Sequence, residues 1–195
     1  MAEIKSTMDL VMERAARFGK ATKEELAEGE AYTKGMQFTA EYLNGTIENL
    51  SEALSSEKPA VQKIVRKGMT EGLLRNISLP RDDIARERSD KCFEAILELS
   101  GAASDVTSIC QELIQILGQY NQHRDQVRQQ MEEQFRMQYE QLMAQQTGVQ
   151  GEGMNIDPAT QPKFREELAK ADMELNSQYN QALEERKNKI KECLL

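Results

Sequence analysis

Between Pro80 and Gln146 the apolar positions recur at alternating spacings of three and four: Cys92, Ile96, Leu99, Ala103, Val106, Cys110, Leu113, Leu117 and Tyr120, continuing through Arg124, Val127 and Met131. This is a heptad seam held in phase over about five heptads. No proline interrupts it, because none lies between Pro80 and Pro158. The pattern predicts one long helix, roughly 100 Å end to end at 1.5 Å per residue if it runs unbroken through Ser100–Asp105, or two helices, with a loop there and Ser104 capping the second. Beyond Tyr120 glutamines crowd the helix, and Val127, Met131, Phe135, Tyr139 (or Gln138) and Leu142 continue at spacings nearer four. The stripe thins there, as in a pair of helices and not a bundle interior.

The flanking segments are helical as well. Ile4, Met8, Val11, Ala15 and Phe18 step by four, three, four and three, and Gly19 supplies a stop. Thr22 with Glu25 three residues on is a capping box. It opens a second helix whose stripe reads Leu26, Gly29, Thr33, Met36, Ala40, Leu43, Ile47, Leu50 and Leu54. Because the phase survives Asn44-Gly45, the pattern predicts one helix over 22–55. Pro59 suits the first position of a third helix, with Gly68 and Gly72 spaced for close approach of a neighbour. Residues 75–79 read as a connector. Thr147–Gln161, with three glycines and Pro158, reads as a loop. Pro162 then opens a last helix with the stripe Phe164, Leu168, Ala171, Leu175, Tyr179, Leu183, Ile190 and Leu194.

These elements predict an all-α fold. Residues 1–112 form a helical bundle base. Residues 113–195 form a long antiparallel, coiled-coil-like hairpin projecting from it, with a tip loop at 147–161.

Composition agrees with thin helical layers. Of 195 residues, 39% are hydrophobic and 30% charged, and Trp is absent. One buried stripe per helix needs fewer bulky side chains than a spherical core. A net charge of −8 repels phosphate backbones, so no nucleic-acid partner is expected. No apolar run approaches the ~20 residues that span a bilayer, and Met1–Leu10 lacks a signal-peptide core. The expectation is a cytoplasmic chain with no membrane partner. Cys92, Cys110 and Cys193 form no CxxC pair and read as reduced thiols.

The candidate chemistry is sparse. His123 is the single histidine, and Tyr120 stands where a Glu-x-x-His di-iron motif needs its glutamate. Gly148–Gly153 is glycine-rich but follows a helix and has no Lys-Ser/Thr end, so it is no phosphate loop. Asn155-Ile156-Asp157 lacks calcium-loop spacing. Neither a catalytic residue, nor a metal ligand, nor a cofactor is expected. The expected function is that of a non-enzymatic helical interaction protein: an adaptor, an assembly factor or a holdase-like helper. Its partner is a protein or a second copy of itself as a homo-oligomer. Loops on rigid scaffolds carry contacts, which points to Val149, Met154, Asn155 and Ile156 at the tip. The alternative is a small-ligand-binding or catalytic bundle with a cavity in the base lined by Gly68, Gly72 and Ser100–Ser104.

Overall fold

The structure, a computed structural model, describes residues 22–147 and 157–194. It is all-α, with no strand among the described residues. The helices are α1 (Lys23–Leu43), α2 (Leu50–Ser55), α3 (Pro59–Asn76), α4 (Asp83–Leu99), α5 (Ser104–Thr147) and α6 (Pro162–Leu194), with a 3-10 turn at Pro158–Thr160. The helix expected over residues 4–18 lies outside the described residues.

Local chemistry sets most boundaries as the sequence reads them. Thr22 and Glu25 form the capping box, each side chain accepting from the other's backbone N–H. Pro59 stands at the start of α3, and Asp82 caps α4 by accepting from the Ala85 N–H at 2.8 Å. Two expectations of continuity are corrected. The helix expected over 22–55 breaks at Asn44-Gly45. Gly45 takes φ +79°, its N–H reaches the Tyr42 carbonyl, and the Thr46 N–H reaches the Glu41 carbonyl. That paired closure is a Schellman cap, which satisfies the orphan carbonyls of a helix end. Asn49 then caps α2.

The same closure ends α4. Gly101 N–H bonds the Glu98 carbonyl and Ala102 N–H the Leu97 carbonyl, with Gly101 at φ +62° and Ala102 at φ +55°. The long helix predicted from Pro80 to Gln146 is therefore two helices, and Ala103, counted in its seam, is exposed. A left-handed alanine costs about 1–2 kcal/mol. Ala102→Gly is accordingly expected to stabilise the protein by about 1 kcal/mol, read as a higher denaturant midpoint at unchanged slope; a lower midpoint would show that the turn does not hold this conformation.

The core sits where α3, α4 and the first half of α5 meet. Val65, Met69, Leu73, Ile77, Cys92, Ile96 and Leu113 are inaccessible to solvent. The closest helix approach joins α1 to α3. A Cβ on Gly35 would meet the Val65 carbonyl oxygen at 2.1 Å, and one on Gly68 would meet the Tyr32 carbonyl oxygen at 2.2 Å. Thr39 fills the space over Gly72, its hydroxyl 3.1 Å from the Met69 carbonyl. The stripe that α1 buries is therefore Ala31, Gly35 and Thr39. The predicted stripe Leu26–Ala40 faces away. The expected close contact at Gly68 and Gly72 forms, with the α1 backbone against Gly68 and the Thr39 side chain over Gly72.

Helices α5 and α6 pair antiparallel. Glu112 pairs with Arg186, Tyr120 bonds Asn176, and Phe135 stacks edge-on against Phe164 with ring centres 5.4 Å apart. The far end of α6 returns to the base, where Ile190 is fully buried and Lys191 pairs with Glu71 at 3.2 Å.

Candidate functional site

The four residues expected to make the partner contact, Val149, Met154, Asn155 and Ile156, lie outside the described residues. The chain that follows them is anchored. Asp157 accepts from the Ala159 N–H at 3.0 Å, and Thr160 donates back to the Asp157 carbonyl at 2.8 Å. Pro158 is buried, and Phe164 is only 1% exposed beside Phe135.

A second site emerges at the joint between base and helix pair, around the connector 77–82. Ile77 and Leu79 bury their side chains and fix its path. Arg124 of α5 reaches across, donating to the Pro80 carbonyl at 3.5 Å while its guanidinium lies 5.7 Å from the centre of the Tyr120 ring. Tyr120 donates to the side-chain amide oxygen Oδ1 of Asn176 in α6 at 2.7 Å and meets Tyr179 edge-on. The Tyr179 hydroxyl sits 3.5 Å from His123 Nδ1.

Between these groups opens a cleft of about 580 Å³, walled by Ser78, Arg81, Asp82, Tyr120, Arg124, Asp172, Asn176 and Asn180. The volume suits a small ligand. The walls offer two guanidinium groups, two carboxylates, two amides and hydroxyls, a set able to hold a polar molecule by hydrogen bonds and charge. A neighbouring cleft of about 350 Å³ lies between α4 and α5, with Phe93, Ile114 and Leu117 on its apolar side. Sequence reading could not assemble this joint, because its residues come from stretches some forty to fifty positions apart and none carries a motif.

Among the described residues no three His, Cys, Asp or Glu side chains converge to hold a metal. His123 is exposed. Burial pushes the Cys92 thiol up to about 12 and the Cys110 thiol up to about 11, so neither is a nucleophile near neutral pH. Burial also raises the Tyr42 phenol, with Glu94 and Glu98 adding to the effect. Titration with an aromatic disulfide at pH 8 is expected to count one thiol, Cys193, in the native protein and three after denaturation. Three counted quickly without denaturant would contradict the buried core. The raised thiols favour the folded state while protonated. That contribution is complete below the ordinary thiol value of 9.0 and is lost as pH rises toward 12.

No helix among the described residues is long and apolar enough to cross a membrane. A family model described as a family of unknown function (DUF6657) matches residues 51–192. No curated protein matches the chain, and no solved structure does.

Proposed function

We propose that this chain, which belongs to the DUF6657 family, acts as a non-enzymatic helical interaction protein: an adaptor, an assembly factor or a holdase-like helper. The observation that carries this reading is the one-sided cover of α5. After Tyr120 the helix continues to Thr147, yet no described side chain in that stretch is fully buried. Met131, Phe135 and Tyr139 are only partly covered, and Met137 and Leu142 are 55% and 51% exposed. A long helix with apolar side chains on more faces than its neighbour covers supports a role in receiving another helix or an apolar segment. The tip residues Val149, Met154, Asn155 and Ile156 remain the second candidate contact in this reading. The partner is a protein or a second copy of the chain. The three free cysteines are consistent with work in the cytoplasm, where thiols stay reduced.

The test is capture from native lysate by three forms: the intact chain, Met137→Glu/Leu142→Glu, and a form with 148–161 replaced by a short Gly/Ser turn. Any captured protein is then purified and its affinity measured against each form. The expected result is a partner that binds the intact chain and loses at least tenfold in affinity to one of the altered forms. Equal binding by all three, or none by any with a monomer in sedimentation, would sink the reading.

A second reading rests on the 580 Å³ cleft, where Arg81 and Arg124 stand with Asp172, Asn176 and Asn180. Here the protein holds a small polar ligand. A ligand present at a hundred times its Kd would raise stability by about 2.7 kcal/mol. A thermal-shift screen of nucleotides, amino acids and organic acids that leaves the midpoint unmoved would remove this reading.

A further inference from the structure

Helix α5 contains a single glycine, Gly118, and no described neighbour requires it. In the base, Gly35 and Gly68 are imposed by backbones that a side chain would strike. At Gly118 a Cβ would meet nothing within 4 Å, and the residue is exposed. Alanine would hold a helix better at such a position. What the missing side chain leaves is space. Gly118 lines the cleft of about 350 Å³ between α4 and α5.

That cleft is divided by chemistry. Phe93 and Leu117, both buried, and Ile114, 49% exposed, give it an apolar side next to the Gly118 backbone. Arg86 and Asp90 line it from α4. They are four residues apart, which puts them one turn from each other on one helix face. Neither is in an ion pair with another described residue. Asn121 and Gln122 add amides from α5. The polar side therefore offers a guanidinium for a carboxylate and a carboxylate for an ammonium, beside a surface that takes an apolar group. Pro80, Arg86 and Asn121 continue into an adjoining cavity of about 320 Å³, which leaves room around a polar head group.

We propose that this cleft binds a free α-amino acid with an apolar side chain, of the leucine, methionine or phenylalanine kind. The side chain lies over Gly118 against Phe93, Ile114 and Leu117. The carboxylate meets Arg86 and the ammonium meets Asp90. A cleft of about 350 Å³ stands at the small end of ligand pockets, which suits a single small molecule. A ligand with both charges matches a wall whose own two charges cancel; a singly charged one would leave Arg86 or Asp90 facing nothing. Both of these side chains are exposed, so water screens the contacts and the affinity is modest, near the millimolar range. Gly118, Arg86 and Asp90 do not line the 580 Å³ cleft, so this site stands whatever that cleft holds.

The test is titration of the full chain followed by its amide NMR shifts, with leucine, methionine, phenylalanine, leucinamide, N-acetyl-leucine and glycine. At least one of the first three is expected to bind at one site, with leucine the reference if it does. The last three are expected to bind at least tenfold more weakly, since each lacks the carboxylate, the ammonium or the side chain. Gly118→Leu, which fills the cleft, is expected to weaken binding at least tenfold while its thermal midpoint without ligand is no lower. Arg86→Gln is expected to erase the preference for the acid over its amide, and Asp90→Asn the preference for the free amine over its N-acetyl form. A merely structural role for these side chains would leave both preferences intact. Binding by none of the three apolar amino acids would overturn the proposal. So would undiminished binding by Gly118→Leu, which would move the ligand to the 580 Å³ cleft, or equal binding of the capped forms, which would leave only an apolar contact.

Discussion

Gly68→Ala is expected to lower stability by about 3 kcal/mol, which for a chain of this size lowers the midpoint of thermal unfolding by roughly 6–12 °C. The added methyl would stand 2.2 Å from the Tyr32 carbonyl oxygen and 3.1 Å from the Gly35 α-carbon. Both are backbone atoms, so no rotamer change relieves the contact; α1 and α3 must move apart. Separation would thin the seal over Thr39 and Met69 and weaken the Thr39 bond to the Met69 carbonyl. Gly118→Ala is the matched control. It sits inside α5 with nothing within 4 Å of the new carbon, and there alanine is expected to raise stability by roughly 0.5–1 kcal/mol through its helix propensity. If the two variants melted alike, the glycine contact between α1 and α3 would not hold the base together.

Phe164→Ala is expected to cost about 3 kcal/mol, the scale for removing a buried aromatic ring, and the loss should be local. Phe164 packs on Phe135 far from the main core. The outer part of the α5–α6 pair has little else buried. Amide exchange across 129–142 and 162–172 is expected to quicken by roughly a hundredfold, at 1.4 kcal/mol per tenfold. Amides around Leu73 in α3 are expected to keep their rates, because elements with few buried contacts open as separate units. Uniform quickening across α3 would show instead that the helix pair and the base unfold as one.

The helical class, the capping box at Thr22, the proline start at Pro59 and the return of the last helix were all legible in the sequence, because each rests on local chemistry or a sustained period. The two breaks were not. At Ser100–Ala103 the turn occupies about as many residues as one helical turn, so Leu99, Ala103 and Val106 keep the seam's spacing although the chain reverses between them. Only Gly101, which takes positive φ without strain, marks the stop. The face of α1 was misread for a different reason. Hydrophobicity favoured Leu26 and Met36, whereas α3 selects its neighbour by size, taking Gly35 and Thr39 because its own Gly68 and Gly72 invite backbone contact. The joint around 77–82 was illegible because it is made of ordinary polar residues brought together by three separate segments.

The burial of Ile190 and the Lys191–Glu71 pair also set a timetable for synthesis. Helix α3 is complete at Asn76, while α6 does not begin until Pro162. At ribosomal rates the interval is on the order of ten seconds. Through that interval the flank of the base where α6 will lie stays open to water, with Leu54 and Pro59 near the place that Leu194 later takes. A nascent chain must therefore carry an unfinished apolar groove for longer than small helical domains need to fold.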